Sequence, residues 1–100
     1  MHIRFKRTGG FAAPAMRKEV TLTGDTLSPQ EKEHILELLN AADFFHLPSS
    51  SPASKKGADQ FRYEISVEHE GQSHTIQVDE AEVPQSLEPL LAWLVKKASL

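Results

Sequence analysis

The chain has 100 residues, 39% of them apolar, with 11 Lys and Arg against 14 Asp and Glu and no cysteine. That length and apolar content support one domain over residues 1–100 with one core, and they leave no strong basic face for nucleic acid. Disulfides, thiol catalysis and thiolate metal sites are excluded, and no stretch approaches the roughly 18 apolar residues of a membrane span.

Residues His2 to Arg7 alternate, with Ile3 and Phe5 to one side and Arg4 and Lys6 to the other, which predicts a half-buried strand. Residues 16–23 alternate again around Val20 and Leu22. Between the two runs lies Thr8-Gly9-Gly10-Phe11-Ala12-Ala13-Pro14, so the pattern predicts a β-hairpin with a long tip. Ser28-Pro29-Gln30-Glu31 then reads as a helix start, with Ser28 as cap, Pro29 at the first helical position and Glu31 completing a capping box. Ile35, Leu38, Leu39 and Ala42 follow as one apolar stripe, and the helix is expected to end near Ala42. Glu31, Lys32, Glu33, Glu37 and Asn40 are expected on its solvent side.

Asp43 to Pro48 is a compact apolar knot whose aromatics, Phe44 and Phe45, are expected to close one end of the core. Ser49 to Asp59 is rich in Ser, Pro, Ala, Lys and Gly and reads as a surface loop. Phe61, Tyr63, Ile65 and Val67 alternate with polar residues, Glu70-Gly71-Gln72 turns the chain, and His74, Ile76 and Val78 alternate again: a second hairpin. The last element is a helix with Leu87, Leu90, Leu91, Leu94 and Val95 on one side. Ser86 is its expected cap, Pro89 falls in the first turn, and Lys96 and Lys97 lie at the end where positive charge is favoured. The order ββαββα predicts a two-layer α+β fold: a four-stranded antiparallel sheet with both helices on one face. The two ββα halves suggest pseudo-symmetry.

Little here reads as catalytic chemistry. Among the five histidines no pair has the spacing of a helical zinc site, Glu31 and His34 read as a surface ion pair, and Glu68, His69 and His74 read as strand surface. The Ser49-Ser50-Ser51 run has no nucleophile-elbow context, and phosphate loops and dinucleotide fingerprints are missing. The expectation is a protein that is no enzyme, holds no metal or cofactor, and binds another macromolecule. Phe11, an aromatic on a loop between small residues, is the leading anchor; it either meets a partner or folds back over its own sheet. The Ser49–Gly57 stretch is a second candidate. Met1-His2-Ile3-Arg4-Phe5 lacks the apolar core of a signal peptide, so a cytoplasmic location is expected.

Several blocks, in order, give the chain a family likeness: Arg7-Thr8-Gly9-Gly10-Phe11-Ala12, Ala41-Ala42-Asp43-Phe44-Phe45-His46-Leu47-Pro48, Gly57-Ala58-Asp59-Gln60-Phe61-Arg62-Tyr63, Val78-Asp79-Glu80, Val83-Pro84 and Leu87-Glu88-Pro89-Leu90-Leu91-Ala92-Trp93-Leu94. With these the chain resembles the emfourin family over nearly its whole length. The resemblance implies a proteinaceous inhibitor of thermolysin-like zinc metallopeptidases of the protealysin type. The partner is then such a peptidase, rather than nucleic acid or membrane, and a monomer is expected. Residues Thr8, Gly9, Gly10, Phe11, Ala12, Ala13 and Pro14 are the candidate partner-binding loop. A non-inhibitory interaction module, an adaptor or immunity-like protein, remains the alternative.

Overall fold

Two hairpins supply the sheet and two helices cover it. The computed structural model describes residues 1–9, 18–49, 61–80 and 83–98; at Thr8, Gly9, Lys18 and Phe61 it describes the backbone alone. Strand β1 is His2–Gly9, β2 Lys18–Thr23, α1 Pro29–Ala42, β3 Phe61–His69, β4 Gln72–Asp79 and α2 Glu88–Lys97. The sheet runs β2-β1-β3-β4 and every neighbouring pair is antiparallel. The first strands of the two halves thus lie side by side in the centre, and their hairpin partners lie outside. The expected pseudo-symmetry is present in the strand order.

Register decides which residues share a face. Ile3 lies opposite Leu22 and Val67, and Phe5 opposite Val20 and Ile65. Ile65 in turn lies opposite Ile76, and Tyr63 opposite Val78. All of these point the same way, because side chains alternate along a strand. Ile3, Phe5, Ile65, Val67 and Ile76 are at most 2% exposed, and they share one cluster with Ile35, Leu39 and Ala42 of α1 and Leu90 and Leu94 of α2. Both helices therefore sit on one face, and the other face of the sheet is open and polar. Phe5 and Tyr63 stack at 5.7 Å between ring centres.

Local chemistry sets the ends of the elements. Ser28 Oγ accepts from Glu31 N at 3.1 Å and Glu31 Oε1 accepts from Ser28 N at 2.9 Å, a complete capping box with Pro29 just inside it. The helix stops at Asp43, which adopts the left-handed region at φ 51°. Phe44 is then fully buried, edge-on to Phe45 and to His74, so the aromatic knot is found where the sequence placed it. The second hairpin turns on Glu70 at φ 50° and Gly71 at φ 79°, the two positive angles that a tight two-residue turn requires.

Two expectations are corrected. Ser86 does not cap α2. Residues Gln85–Leu87 form a 3-10 turn after Pro84, Leu87 N donates to Pro84 O at 2.9 Å, and α2 starts at Glu88 without a side-chain cap. Burial of Leu87, which is 0% exposed, decides this: the chain winds early to turn that side chain inward, and Ser86 is left facing solvent. Glu31 does not pair with His34. Its Oε2 takes a hydrogen bond from Lys97 Nζ, so one carboxylate both caps α1 and ties its start to the last turn of α2. Lys97 also lies 5.8 Å from the Trp93 ring centre.

These contacts differ greatly in weight. Replacing Ser28 by Ala removes a cap and is expected to cost about 1 kcal/mol, whereas Leu94→Ala opens the centre of the core and is expected to cost about 2–5 kcal/mol; denaturant unfolding of both variants checks the order. The hydrogen bond from Lys97, and after it that from the Ser28 backbone, holds the Glu31 carboxyl below its ordinary value of 4.5. A depressed carboxylate contributes stability above its unfolded value and loses it as pH falls through the folded one. The thermal midpoint of the wild type should therefore drop further between about pH 6 and about pH 3 than that of Glu31→Gln.

Candidate functional site

The end of the sheet where β1 stops carries the loop singled out in the sequence. Thr8 and Gly9 are the last two residues of β1, opposite Arg62 and Phe61 of β3. Gly10, Phe11, Ala12, Ala13 and Pro14 lie outside the described residues. Arg7 lies opposite Lys18, the first residue of β2, and this pair closes the root of the hairpin. Phe61, the first residue of β3, is the direct partner of Gly9. Arg62 lies opposite Asp79, so β4 ends beside them.

Two side-chain groups brace this end, one on each face. On the open face Arg62 Nη1 donates to Asp79 Oδ1 at 2.5 Å, and Asp79 is only 7% exposed. Arg62 Nη2 reaches Gln77 Oε1 at 3.5 Å, and Gln77 Nε2 donates to Glu64 Oε1 at 2.8 Å. Glu64 Oε2 lies 3.5 Å from Lys6 Nζ. The chain of contacts links β1, β3 and β4 just below the point where the loop leaves. On the covered face Tyr63 lies beside Arg7, its direct partner across β1 and β3. Burial, and next the Glu80 charge, push the phenol above its usual value of 10.0, while the Arg7 charge and hydrogen bond pull the other way. Burial thus keeps the Tyr63 phenol protonated, with the Arg7 charge beside it.

The arrangement offers support rather than reactivity. Among the described residues no group of three or more His, Asp or Glu side chains is placed to hold a metal ion. Glu68 points to the open face and His69 and His74 to the other, so that trio does not assemble. His74 instead shares a 2.7 Å hydrogen bond with Leu47 O and packs on Phe44. No described helix is long and apolar enough to cross a membrane.

The Arg62–Asp79 brace went unread in the sequence although its signal is there. A two-residue turn at Glu70-Gly71 fixes the register of the second hairpin, and that register sets residue 62 against residue 79. The Arg7–Tyr63 contact is different in kind. It depends on β1 pairing with β3, and no local pattern encodes that.

Three comparisons bear on what this scaffold is. No curated protein matches the chain. One solved structure similar to it is emfourin (M4in) from Serratia proteamaculans, an M4 family peptidase inhibitor. It is 22% identical, with 89% of this chain and 83% of that chain covered and a TM-score of 0.49. The family model described as Emfourin matches residues 5–95. That span takes in β1 from Phe5 onward, the other three strands, α1 and nearly all of α2: the chain belongs to the emfourin family.

Proposed function

We propose that the chain is a proteinaceous inhibitor of thermolysin-like, protealysin-type zinc metallopeptidases, which it blocks by binding in the active-site cleft. Membership of the emfourin family over residues 5–95 is the observation that carries this reading. The inhibitor acts as a cytoplasmic monomer, without a cofactor and without catalysing anything itself.

The contact assigned to it is the loop Thr8, Gly9, Gly10, Phe11, Ala12, Ala13 and Pro14. Peptidases of this type favour a bulky apolar side chain just after the scissile bond, and Phe11 is such a side chain. Both ends of the loop are anchored, at Gly9 by pairing to Phe61 and beyond the loop by Lys18 pairing to Arg7. Anchored ends reduce the ordering that binding must impose, which raises affinity. The same anchoring holds the two halves together should the peptidase cut between them. Main-chain groups of Gly9 to Ala13 are suited to pair with an edge strand of the cleft, as extended peptides do. The described residues offer no cluster that would strip a metal from the enzyme, so the mode is occlusion.

Titrating protealysin and thermolysin with the purified protein tests the reading: hydrolysis should fall with inhibitor and reach a floor. Undiminished hydrolysis by both at equimolar inhibitor and above would leave the non-inhibitory interaction module as the better account. Phe11→Ala tests the loop separately. Burying one such side chain contributes about 1.5–3 kcal/mol, so the inhibition constant should rise about 10- to 100-fold. An unchanged constant would remove Phe11 from the contact and leave the inhibitor reading standing.

A further inference from the structure

Four hydrogen bonds fix which backbone groups of the sheet are left over. Gly24 N donates to Met1 O at 2.9 Å, one step beyond the β1–β2 register. In an antiparallel pair the residues alternate between bonding inward and pointing outward. Lys18, Val20 and Leu22 therefore bond to β1, and Glu19, Thr21 and Thr23 present both N–H and C=O to the outside. Gln77 N of β4 donates outward to Ser49 O at 2.9 Å. Carrying that phase through the β3–β4 and β1–β3 registers returns the same assignment for β2. At Thr23 the outward groups are satisfied by the following turn: Thr26 Oγ1 accepts from Thr23 N at 3.1 Å, and Thr26 N donates to Thr23 O at 3.0 Å.

The two edges of the sheet are thus unlike. Near the candidate loop the β4 edge is occupied, by Ser49 at Gln77. Among the described residues nothing closes the β2 edge there. Glu19 and Thr21 are exposed, and among the described residues nothing pairs with their outward backbone groups. Glu19 comes one residue after the Arg7–Lys18 pair that closes the hairpin root. The open edge is therefore continuous with the loop assigned to the peptidase.

We propose that the β2 edge at Glu19 and Thr21 is a docking edge, on which an extended segment of the target peptidase adds as a fifth strand. This rests on the inhibitor reading and extends its contact from the loop into the sheet. Two consecutive outward residues offer four main-chain hydrogen bonds. That is short for a stable pairing of two copies of this chain, which needs a far larger buried area. It is enough to extend and orient a contact that the adjoining loop already holds. Strand addition of this kind takes its strength from main-chain bonds, and so asks little of the partner's side chains.

Amide hydrogen exchange on the wild-type protein, free and in complex with protealysin, tests the proposal. In the free protein the Glu19 and Thr21 amides should exchange fast beside protected Val20 and Leu22 amides. In the complex the first two should slow by about tenfold or more. Thr21→Pro removes one outward donor, and proline on an outward edge position leaves the β1 pairing intact. It should keep the thermal midpoint within a few degrees and weaken inhibition about tenfold. Unchanged exchange at both amides in a complex that still inhibits would overturn the edge while sparing the inhibitor reading. So would protection in the free protein that grows with its concentration, since that assigns the edge to a second copy. If protealysin neither binds nor is inhibited, the inhibitor reading for this enzyme and the edge proposal fall together.

Discussion

A sheet that buries only one face fixes the parity of every residue in it, because a slip of one residue would send each apolar side chain to the wrong side. Here both helices lie on that one face, with Ile35, Leu39, Leu90 and Leu94 set against Ile3, Phe5, Ile65 and Ile76. Everything else follows from this parity. It leaves Arg4, Lys6, Glu64 and Gln77 on the open face, and it turns Arg7 and Tyr63 under the helices. It also determines which amides of β2 bond inward. The contacts proposed for the molecule lie at one end and along one edge of a sheet whose geometry the apolar contacts settle first.

The polar contacts at the loop end act within that frame and do not create it. Arg62 and Asp79 are brought opposite one another by the β3–β4 register, and only then does their ion pair fix the side chains. Asp79 is nearly buried while Arg62 keeps about a third of its side chain in water, so the pair is partly screened. Its effect is positional. It and the Lys6–Glu64–Gln77 contacts tie three strands together where β1 gives way to the loop. Glu31 works similarly at the helix layer, where a cap that would serve α1 alone also holds the end of α2.

Local pattern made most of this fold legible. Alternation gave all four strands, the Ser28-to-Glu31 box gave the start of α1, and the Phe44 knot was found at the end of the core. What escaped was either non-local or a contest between local signals. The Arg7–Tyr63 contact requires two strands more than fifty residues apart to pair. Ser86 had the composition of a cap, but burial of Leu87 moved the start of winding upstream of it. Lys97 reached Glu31 because the helices pack against each other, and neither helix's own periodicity contains that. At the candidate site the sequence marked Thr8 to Pro14 by composition. The structure adds the anchoring of Thr8 and Gly9 in β1, and the residues from Gly10 onward lie outside it.

An inhibitor that enters a peptidase cleft in the way proposed for this loop must resist release as a product. A short segment held at both ends by antiparallel strands meets that demand, because separating its halves after a cut would require breaking the sheet as well as the contact. The strands that do the holding here are β1, seated on the central β3 where Thr8 lies opposite Arg62, and β2, seated on β1 where Lys18 lies opposite Arg7. An edge strand alone would fray. β2 is also an edge, and among the described residues nothing pairs with the outward backbone of Glu19 and Thr21. Exposed edges invite unwanted pairing, and short length is one way proteins limit it. The Thr23–Thr26 turn shortens this one, and what remains open is the part nearest the loop. The same hairpin thereby separates two tasks, with rigidity assigned to the central strand and availability to the outer one.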